Sequence, residues 1–442
     1  MSLNIEHPSV KTKPTHHRWW VASLFFLIYT VAAADRANLG VALPFIRAEY
    51  HMTNAEAGAL VSLFLIAYAM VQIPSAWLIT KFGVRKVFTS SMILTSIATA
   101  LTGMVGSVLQ LKLCRLLLGV AEGPLPIGVT STINNWFPSK EKGIASGIFL
   151  SSIKLGPVLT PIIGAMIILH WGWEEIFIFF ALPGLLLPVL WFIFVKDRPS
   201  ESSFVNRDEL DLINENVTSG NEVKKVEYRR IAYLDTFIKL KKVKVLTSTK
   251  EIFGSWNLIG CGLGYCCQLG ISSLMLAWIP TYLISEKQLS VVGMGFVAAA
   301  PWVGAVLGNL LGGVLSDKIL NKRRKPGMLI SAVSTSAMML FLIFIPADPI
   351  ICAALLFMTG LLLSIGFSAY MVYPMSFISK AKFPVANAIV NMFGQLGGAA
   401  TPFIAGLILD NYGWNIVFMF MSVISLITFI TVLTIDEPYD IS

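Results

Sequence analysis

Apolar stretches long enough to cross a bilayer alternate with short polar breaks along almost the whole chain. A spanning helix rises 1.5 Å per residue and needs about 20 apolar residues to cross about 30 Å of hydrocarbon. Runs that meet this requirement fall at 19–46, 57–80, 86–108, 110–133, 144–169 and 173–195, then at 253–284, 291–316, 327–346, 349–378, 385–409 and 414–435. Numbered 1 to 12 in chain order, they predict an all-α polytopic membrane protein with twelve transmembrane helices in two six-helix halves. The expected divisions are an N-terminal segment 1–18, a first half 19–195, a central loop 196–250, a second half 251–435 and a C-terminal segment 436–442. In the central loop, Tyr228 to Val245 mixes Ile, Leu, Phe and Val with Arg and Lys. That fits either a basic amphipathic helix on the inner leaflet or a solvated linker with fragments of helix.

The breaks carry the basic residues, and on one side only. Lys11, Lys13 and Arg18 precede helix 1. Lys81, Arg85 and Lys86 lie between helices 2 and 3, and Lys140 and Lys142 between 4 and 5. Lys318, Lys322, Arg323, Arg324 and Lys325 lie between 8 and 9, and Lys380 and Lys382 between 10 and 11. The positive-inside rule then puts both termini and the central loop in the cytoplasm. The halves also repeat. Leu155-Gly156-Pro157-Val158-Leu159-Thr160-Pro161 matches Leu396-Gly397-Gly398-Ala399-Ala400-Thr401-Pro402, and Trp171-Gly172-Trp173 matches Tyr412-Gly413-Trp414, both at an offset of 241. A duplicated six-helix unit with a site between the copies is a transporter architecture.

Composition narrows the function. Hydrophobic residues make up 55% of the chain and charged residues 13%, against about 25% charged in soluble domains. The net charge of +8 needs no nucleic acid partner, because the loop rule accounts for it. The five cysteines fall inside apolar runs, so free thiols are expected. The first apolar run is long and lacks a small-residue cleavage site, so helix 1 is expected to be retained. No Gly-x4-Gly-Lys-Ser/Thr motif occurs, which makes a gradient the energy source. No cofactor or metal cluster is indicated. A membrane enzyme would show a His or carboxylate cluster at one interface or a soluble catalytic domain, and neither is visible.

Charges within the runs are the candidate chemistry. Asp35-Arg36-Ala37-Asn38-Leu39 stands late in helix 1. An acid and a base there must face protein, water or each other, and such residues mark either a functional site or an ion pair that pins the helix. Arg115 and Glu122 are seven residues apart on helix 4, nearly two turns, so they share a face. They line one cavity at two depths or form a salt bridge within the helix. The protonation of a buried acid depends on two opposed effects, desolvation and a nearby cation, so such a group can switch. Arg36 is the leading ligand for a substrate carboxylate, because guanidinium stays charged and offers a bidentate fork. Tyr68 on helix 2 can donate to the same anion. Lys154 stands in the middle of helix 5, with Gln395 at the repeat-related position. It contacts a second anionic end of the substrate, favouring a diacid or a sulfonate-carboxylate, or it pairs with Glu122 or Asp35. The second half has no ionisable side chain well inside its runs; Tyr265, Gln268, Tyr370, Asn391 and Gln395 are its polar candidates for substrate hydroxyls. Gly and Pro at 119, 123, 124, 126, 156, 157 and 161 favour close approach and bending of helices.

These features resemble the major facilitator superfamily. Its loop signature appears between helices 8 and 9 as Gly313, Asp317 and Lys318. The first-half copy keeps Gly83, Arg85 and Lys86 but has Thr80 where an Asp is expected, so the helix 2–3 latch is incomplete. Within it, the chain resembles the anion:cation symporter family, including galactonate-, hexuronate- and glucarate-type sugar-acid:proton symporters. The matching stretches are Asp35 to Leu39, Tyr68 with Gln72-Ile73-Pro74, and Arg115, Gly119, Glu122 and Gly123. Further matches are Trp136-Phe137-Pro138 with Glu141, Trp278-Ile279-Pro280 with Tyr282-Leu283, and Asn391, Gly394, Gly397 and Gly398. The resemblance implies that Asp35 and Glu122 carry protons, with Arg115 in their charge network. It implies a monomeric carrier in a prokaryotic inner membrane that imports a small organic anion with protons by alternating access. A sugar acid is the first expectation; another small carboxylate or a sulfonate is the alternative. A proton-coupled drug antiporter is the further rival, and the cationic set Arg36, Arg115 and Lys154 argues against it.

Overall fold

In the computed structural model, residues 13–138, 140–214, 238, 240–321, 323–379 and 382–439 are described. The membrane-crossing helices are helix 1 (His17–Glu49), helix 2 (Asn54–Phe82), helix 3 (Val84–Thr102), helix 4 (Val108–Trp136), helix 5 (Lys142–Trp171) and helix 6 (Glu174–Phe194). The second set is helix 7 (Trp256–Ser285), helix 8 (Val291–Ile319), helix 9 (Lys325–Phe344), helix 10 (Pro349–Ser376), helix 11 (Phe383–Asn411) and helix 12 (Trp414–Thr434). Eleven of them are long and apolar enough to span a membrane among the described residues. Helix 3 is the less apolar exception because of its Ser and Thr. Several of those hydroxyls bond back to its own turns, as Thr89 Oγ1 does to the Arg85 carbonyl at 2.7 Å and Thr102 Oγ1 to Ala98 at 2.9 Å, which removes the cost of an unpaired hydroxyl.

The helices pair in a repeated order. Helix 1 packs on 5 as 7 packs on 11, 2 on 4 as 8 on 10, and 3 on 6 as 9 on 12. Helices 2 and 11, 5 and 8, and 1 and 7 join the halves. Small residues permit these contacts, as expected where helix association rests on close packing. Gly304, Gly308 and Gly312 of helix 8 lie against the carbonyls of Phe357, Leu361 and Ile365 in helix 10, and a Cβ at any of them would overlap a carbonyl oxygen.

Contact between the halves concentrates at the end away from the termini. Asp410, near the end of helix 11, accepts from Asn54 N at 2.8 Å, Asn54 Nδ2 at 2.8 Å and Ala55 N at 2.9 Å at the start of helix 2. Ser62 Oγ donates to the Ala399 carbonyl at 2.5 Å. The Arg47 guanidinium lies 5.9 Å from the centre of the Trp278 ring. Among the described residues, all hydrogen bonds between the halves are at this end.

The opposite face is organised by carboxylates. Glu209, on a short helix Arg207–Asn214, is fully buried and accepts the His17 and Arg18 N–H groups at 3.0 and 3.1 Å and Arg18 Nη1 at 2.9 Å; Thr15 Oγ1 also donates to it. Arg18 donates its other two nitrogens to Glu141 at 2.7 and 3.1 Å. The start of helix 1, the 4–5 loop and the segment after helix 6 therefore lock together.

Four expectations change. Helix 4 is two segments, Val108–Glu122 and Leu125–Trp136, because Pro124 and Pro126 have no N–H to donate and interrupt the ladder at Gly123. Helix 10 likewise breaks at Gly366 and ends in a 3₁₀ turn, Tyr373–Ser376. Helix 3 ends at Thr102 rather than near 108, at the Gly103 turn. The segment Tyr228 to Val245 lies mostly outside the described residues. Leu240–Lys242 of it forms strand β1, paired in parallel with β2 (Glu437–Tyr439) rather than continuing a helix.

Candidate functional site

Helix 1 delivers the central pair. Asp35 and Arg36 are adjacent, so their side chains leave the helix about 100° apart. Asp35 turns inward and is 1% exposed; Arg36 turns toward the space between the halves and its side chain stays 21% exposed. Arg36 Nε donates to Glu122 Oε2 at 2.6 Å. Glu122 is fully buried and ends the first segment of helix 4, where the prolines open the backbone. Its Oε1 has no hydrogen-bond partner. The Arg36 guanidinium is ringed by aromatics, at 4.8 Å from the centre of Tyr68, 5.7 Å from Tyr29 and 5.8 Å from Phe64. Its Nη2 also meets the Tyr29 hydroxyl at 3.4 Å. Tyr29 lies seven residues before Arg36, on the same face. That spacing was the available signal for a residue the sequence reading omitted.

Asp35 and Arg115 form a second, sealed layer. Asn38 Nδ2 donates to Asp35 Oδ1 at 3.3 Å, and Oδ2 has no partner. Arg115 is 1% exposed, lies 5.4 Å from the centre of the Phe177 ring, and leaves Nε and Nη2 unpaired. Asp35, Arg115 and Glu122 are close enough to feel one another's charge. Of the two alternatives for Arg115 and Glu122, the salt bridge within helix 4 does not form; Glu122 reaches across to Arg36 Nε on helix 1 instead. Two acids and two guanidiniums therefore gather in the first half, with Arg36 and Glu122 paired beside the space between the halves and Asp35 and Arg115 sealed behind them without an ion pair.

Lys154 projects from helix 5 toward the second half. Its ammonium lies 4.8 Å from the centre of the Phe367 ring in helix 10 and 5.8 Å from that of Trp302 in helix 8. Among the described residues it makes no ion pair, so the expected alternatives of Glu122 or Asp35 as partner are not formed in this conformation.

The second-half candidates separate into two groups. Gln395 is half-buried with an unpaired Oε1, and Asn391 is half-buried with Nδ2 donating to the Asn387 carbonyl at 3.0 Å. Tyr265 packs edge-on against Phe367 at 5.3 Å and is close enough to Tyr68 to interact with it electrostatically. Gln268 and Tyr370 are set deeper than the other candidates, and each keeps one polar atom without a partner, Gln268 Oε1 and the Tyr370 hydroxyl. Gln268 is fully buried, and its Nε2 donates to the Leu363 carbonyl and to Ser331 Oγ at 3.3 Å, so it ties helix 7 to helices 9 and 10. Tyr370 is fully buried against Gly264 and Tyr265. The Gln268 amide nitrogen thus satisfies itself on neighbouring helices, as polar residues in membrane helices commonly do.

The loop signature is present in the second half and rebuilt in the first. Asp317 accepts from Arg324 Nη1 at 2.9 Å, joining the ends of helices 8 and 9; Lys318 is exposed, and Gly313 has open space where a Cβ would sit. Glu437, beyond helix 12, accepts the Arg324 and Lys325 N–H groups at 3.1 and 2.8 Å. In the first half Thr80 bonds only to its own turn, at Ala76. Asp197, beyond helix 6, instead accepts the Arg85 N–H at 2.9 Å, while the Arg85 guanidinium donates to the Phe192 carbonyl at 2.7 Å. In both halves an acid that follows the sixth helix caps the start of the third, an arrangement that dipole and unpaired N–H groups favour. Asp197, Glu437 and Asp410 were missed from sequence because each lies at or beyond a helix end, where periodicity is silent.

Among the described residues no three His, Cys, Asp or Glu side chains gather where a metal ion would sit. Twelve helices in two repeat-related halves around a charged layer at mid-depth define a secondary transporter. A sequence model of the Major Facilitator Superfamily matches residues 25–378 and 262–441, and the chain belongs to that family. It is 27% identical to a probable galactarate/D-glucarate transporter of Escherichia coli, over 98% of this chain and 97% of the relative. It is 28% identical to a probable sulfoacetate transporter of Cupriavidus necator, over 90% and 88%. To a D-galactonate transporter of Escherichia coli it is 28% identical, over 95% and 96%. Among solved structures, a bacterial homolog of the human lysosomal transporter Spinster shares the fold with a TM-score of 0.75 at 16% identity, over 96% and 97% of the two chains.

Proposed function

We propose that the protein is a proton-coupled symporter that imports an organic anion, of the sugar-acid class, by alternating access. The observation that carries this reading is the Arg36–Glu122 pair, open to the space between the halves and backed by the unpaired Asp35 and Arg115. An anionic substrate and Glu122 compete for one guanidinium. Protonation of Glu122 removes the internal carboxylate, and the carboxylate of the substrate takes its place on the fork. Protonation of Asp35 in the sealed layer keeps the loaded carrier from moving a bare buried acid, which is costly at mid-membrane depth. Loss of both protons restores the Arg36–Glu122 pair and expels the anion. Tyr68, Tyr265, Asn391 and Gln395 offer hydrogen bonds to substrate hydroxyls.

The relatives named for hexarates, a hexonate and sulfoacetate support an acid of this size. The loop charges support a cytoplasmic position for both termini, in a prokaryotic inner membrane. The halves, joined at the far end, then adopt an inward-facing form. The carrier works as a monomer, with its site between its own two halves. The test is uptake by proteoliposomes under an imposed inward proton gradient. Accumulation of a sugar acid that collapses with a protonophore and is lost in Asp35→Asn is the expected result. Expulsion of a cationic dye with no anion movement would overturn it.

A further inference from the structure

The Arg36 site accounts for one carboxylate, and it leaves Lys154 without an assignment. A lysine held at mid-membrane depth is expected to have a partner. Its three N–H donors meet only the faces of Phe367 and Trp302 among the described residues. Ring faces attract an ammonium without accepting its hydrogen bonds; an anion offers oxygens as well. The residue is half-buried, so the ammonium is not sealed off from the space between the halves.

The two cations bound the same space. Arg36 lies on the Tyr68 ring, while Lys154 lies on the Phe367 ring, which packs on Tyr265. Each cation therefore lies on an aromatic face, Arg36 on Tyr68 of the first half and Lys154 on Phe367 of the second. Helices 1 and 5 both start at the face of the termini and touch where Gly156 meets Ala33 and Ala34. Lys154 precedes that contact by two residues and Arg36 follows it by two to three. At 1.5 Å per residue the two positions are offset by about 7 Å along the helices. That offset suits a small molecule with an acid group at each end. Gln395, with its free Oε1, sits on helix 11 at the position that repeats Lys154, so the pseudo-symmetric partner of the cation is neutral. The second charge is read from the first half only.

We infer that Lys154 is a specificity-determining residue that holds the second anionic group of the substrate, and that the transported species is a dianion bridging Arg36 and Lys154. This rests on the anion-symport reading above and narrows it. Galactarate and D-galactonate form the informative pair, because they share a carbon skeleton and differ only in whether the far end is a carboxylate or a hydroxymethyl group. Sulfoacetate and acetate make a shorter pair of the same kind.

The experiment measures binding to the purified full-length protein and uptake into proteoliposomes for both pairs, in wild type, Lys154→Gln and Lys154→Arg. The expected result is a preference for the dianion in at least one pair. Lys154→Gln then weakens that dianion about tenfold or more, as the loss of a charge-assisted contact implies, and leaves the matching monoanion within about twofold. Lys154→Arg restores most of the preference. An equal loss for both members of each pair makes Lys154 a structural residue and overturns the inference. So does an unchanged ratio, or a wild type that prefers the monoanion in both pairs. If monoanions accumulate with the proton gradient while the ratio ignores Lys154, symport stands and the dianion reading falls. If no anion binds or moves, the symport reading itself falls and takes this one with it.

Discussion

The two halves share one fold and divide the work unequally. The first half holds Asp35, Arg36, Arg115, Glu122 and Lys154 at depth, while the corresponding level of the second half is neutral, with Tyr265, Asn391 and Gln395. The second half has the complete latch, Asp317 to Arg324; the first half lacks an acid on helix 2 and relies on Asp197 from beyond helix 6. Helix 3 is thus tied to helix 6 in one half, and helix 9 to both 8 and 12 in the other. Among the described residues the end of helix 2 near Phe82 has no such acid, and Met70, Ile73 and Trp77 before it are exposed. The two halves repeat one frame, and the buried ionisable groups gather in the half whose helix 2 lacks the acid of the loop signature.

That contrast can be broken from the charged side first. Asp35→Asn should abolish uphill accumulation in proteoliposomes yet leave exchange of preloaded anion running, because the variant mimics the protonated state permanently. Glu122→Gln removes the internal competitor for Arg36, so anion binding measured by calorimetry should persist at alkaline pH where wild-type binding has faded. Arg36→Lys keeps the charge and loses the fork; apparent affinity should fall about 10- to 100-fold, the equivalent of about 1.5–3 kcal/mol.

Changes elsewhere should sharpen the comparison with smaller effects. Asp410→Ala removes its bonds to the Asn54 and Ala55 N–H groups at the start of helix 2, worth about 1 kcal/mol, and should raise labelling of a Leu65→Cys reporter at the closed end about fivefold. Gln268→Leu should lower Tm without altering the order of substrates, since Gln268 bonds helices 9 and 10 rather than the cleft. Glu209 gives the smallest effect on transport and a pH signature in stability. Burial pushes its carboxyl up, but the Thr15 hydroxyl, the N–H groups of Arg18 and His17 and the Arg18 guanidinium outweigh burial and hold it below the usual range. Its contribution is therefore present above the unfolded value of about 4.3 and is lost as pH falls through the lower folded value. Glu209→Gln should lower Tm near neutral pH, with the gap to wild type closing below that range.

Much of this arrangement was legible in the sequence. Run lengths gave the twelve helices, the 241-residue offset gave the duplication, and the charge in five positions marked the candidate site. Partners were less legible. The spacing of Arg115 and Glu122 put them on one face, but which cation Glu122 meets depends on how helix 1 is rotated against helix 4. Gln268 and Gln395 read alike along the chain, and only the packing of helix 9 separates the buried one from the open one. The carboxylates at helix ends escaped because a single acid in a loop looks like ordinary surface charge until the fold brings a bare helix start beside it.

The Arg18–Glu141–Glu209 cluster carries a consequence for biosynthesis. Glu209 comes 15 residues after the end of helix 6 at Phe194, so every part of the clasp has left the ribosome before helix 7 is made. The chain can close its first half, with Arg18, Glu141 and Glu209 already paired, while the second is still being translated. Domains made first tend to fold first. The later half would then insert beside a finished partner, which is safer for a bilayer than holding an unpaired arginine and glutamate until the end of the message.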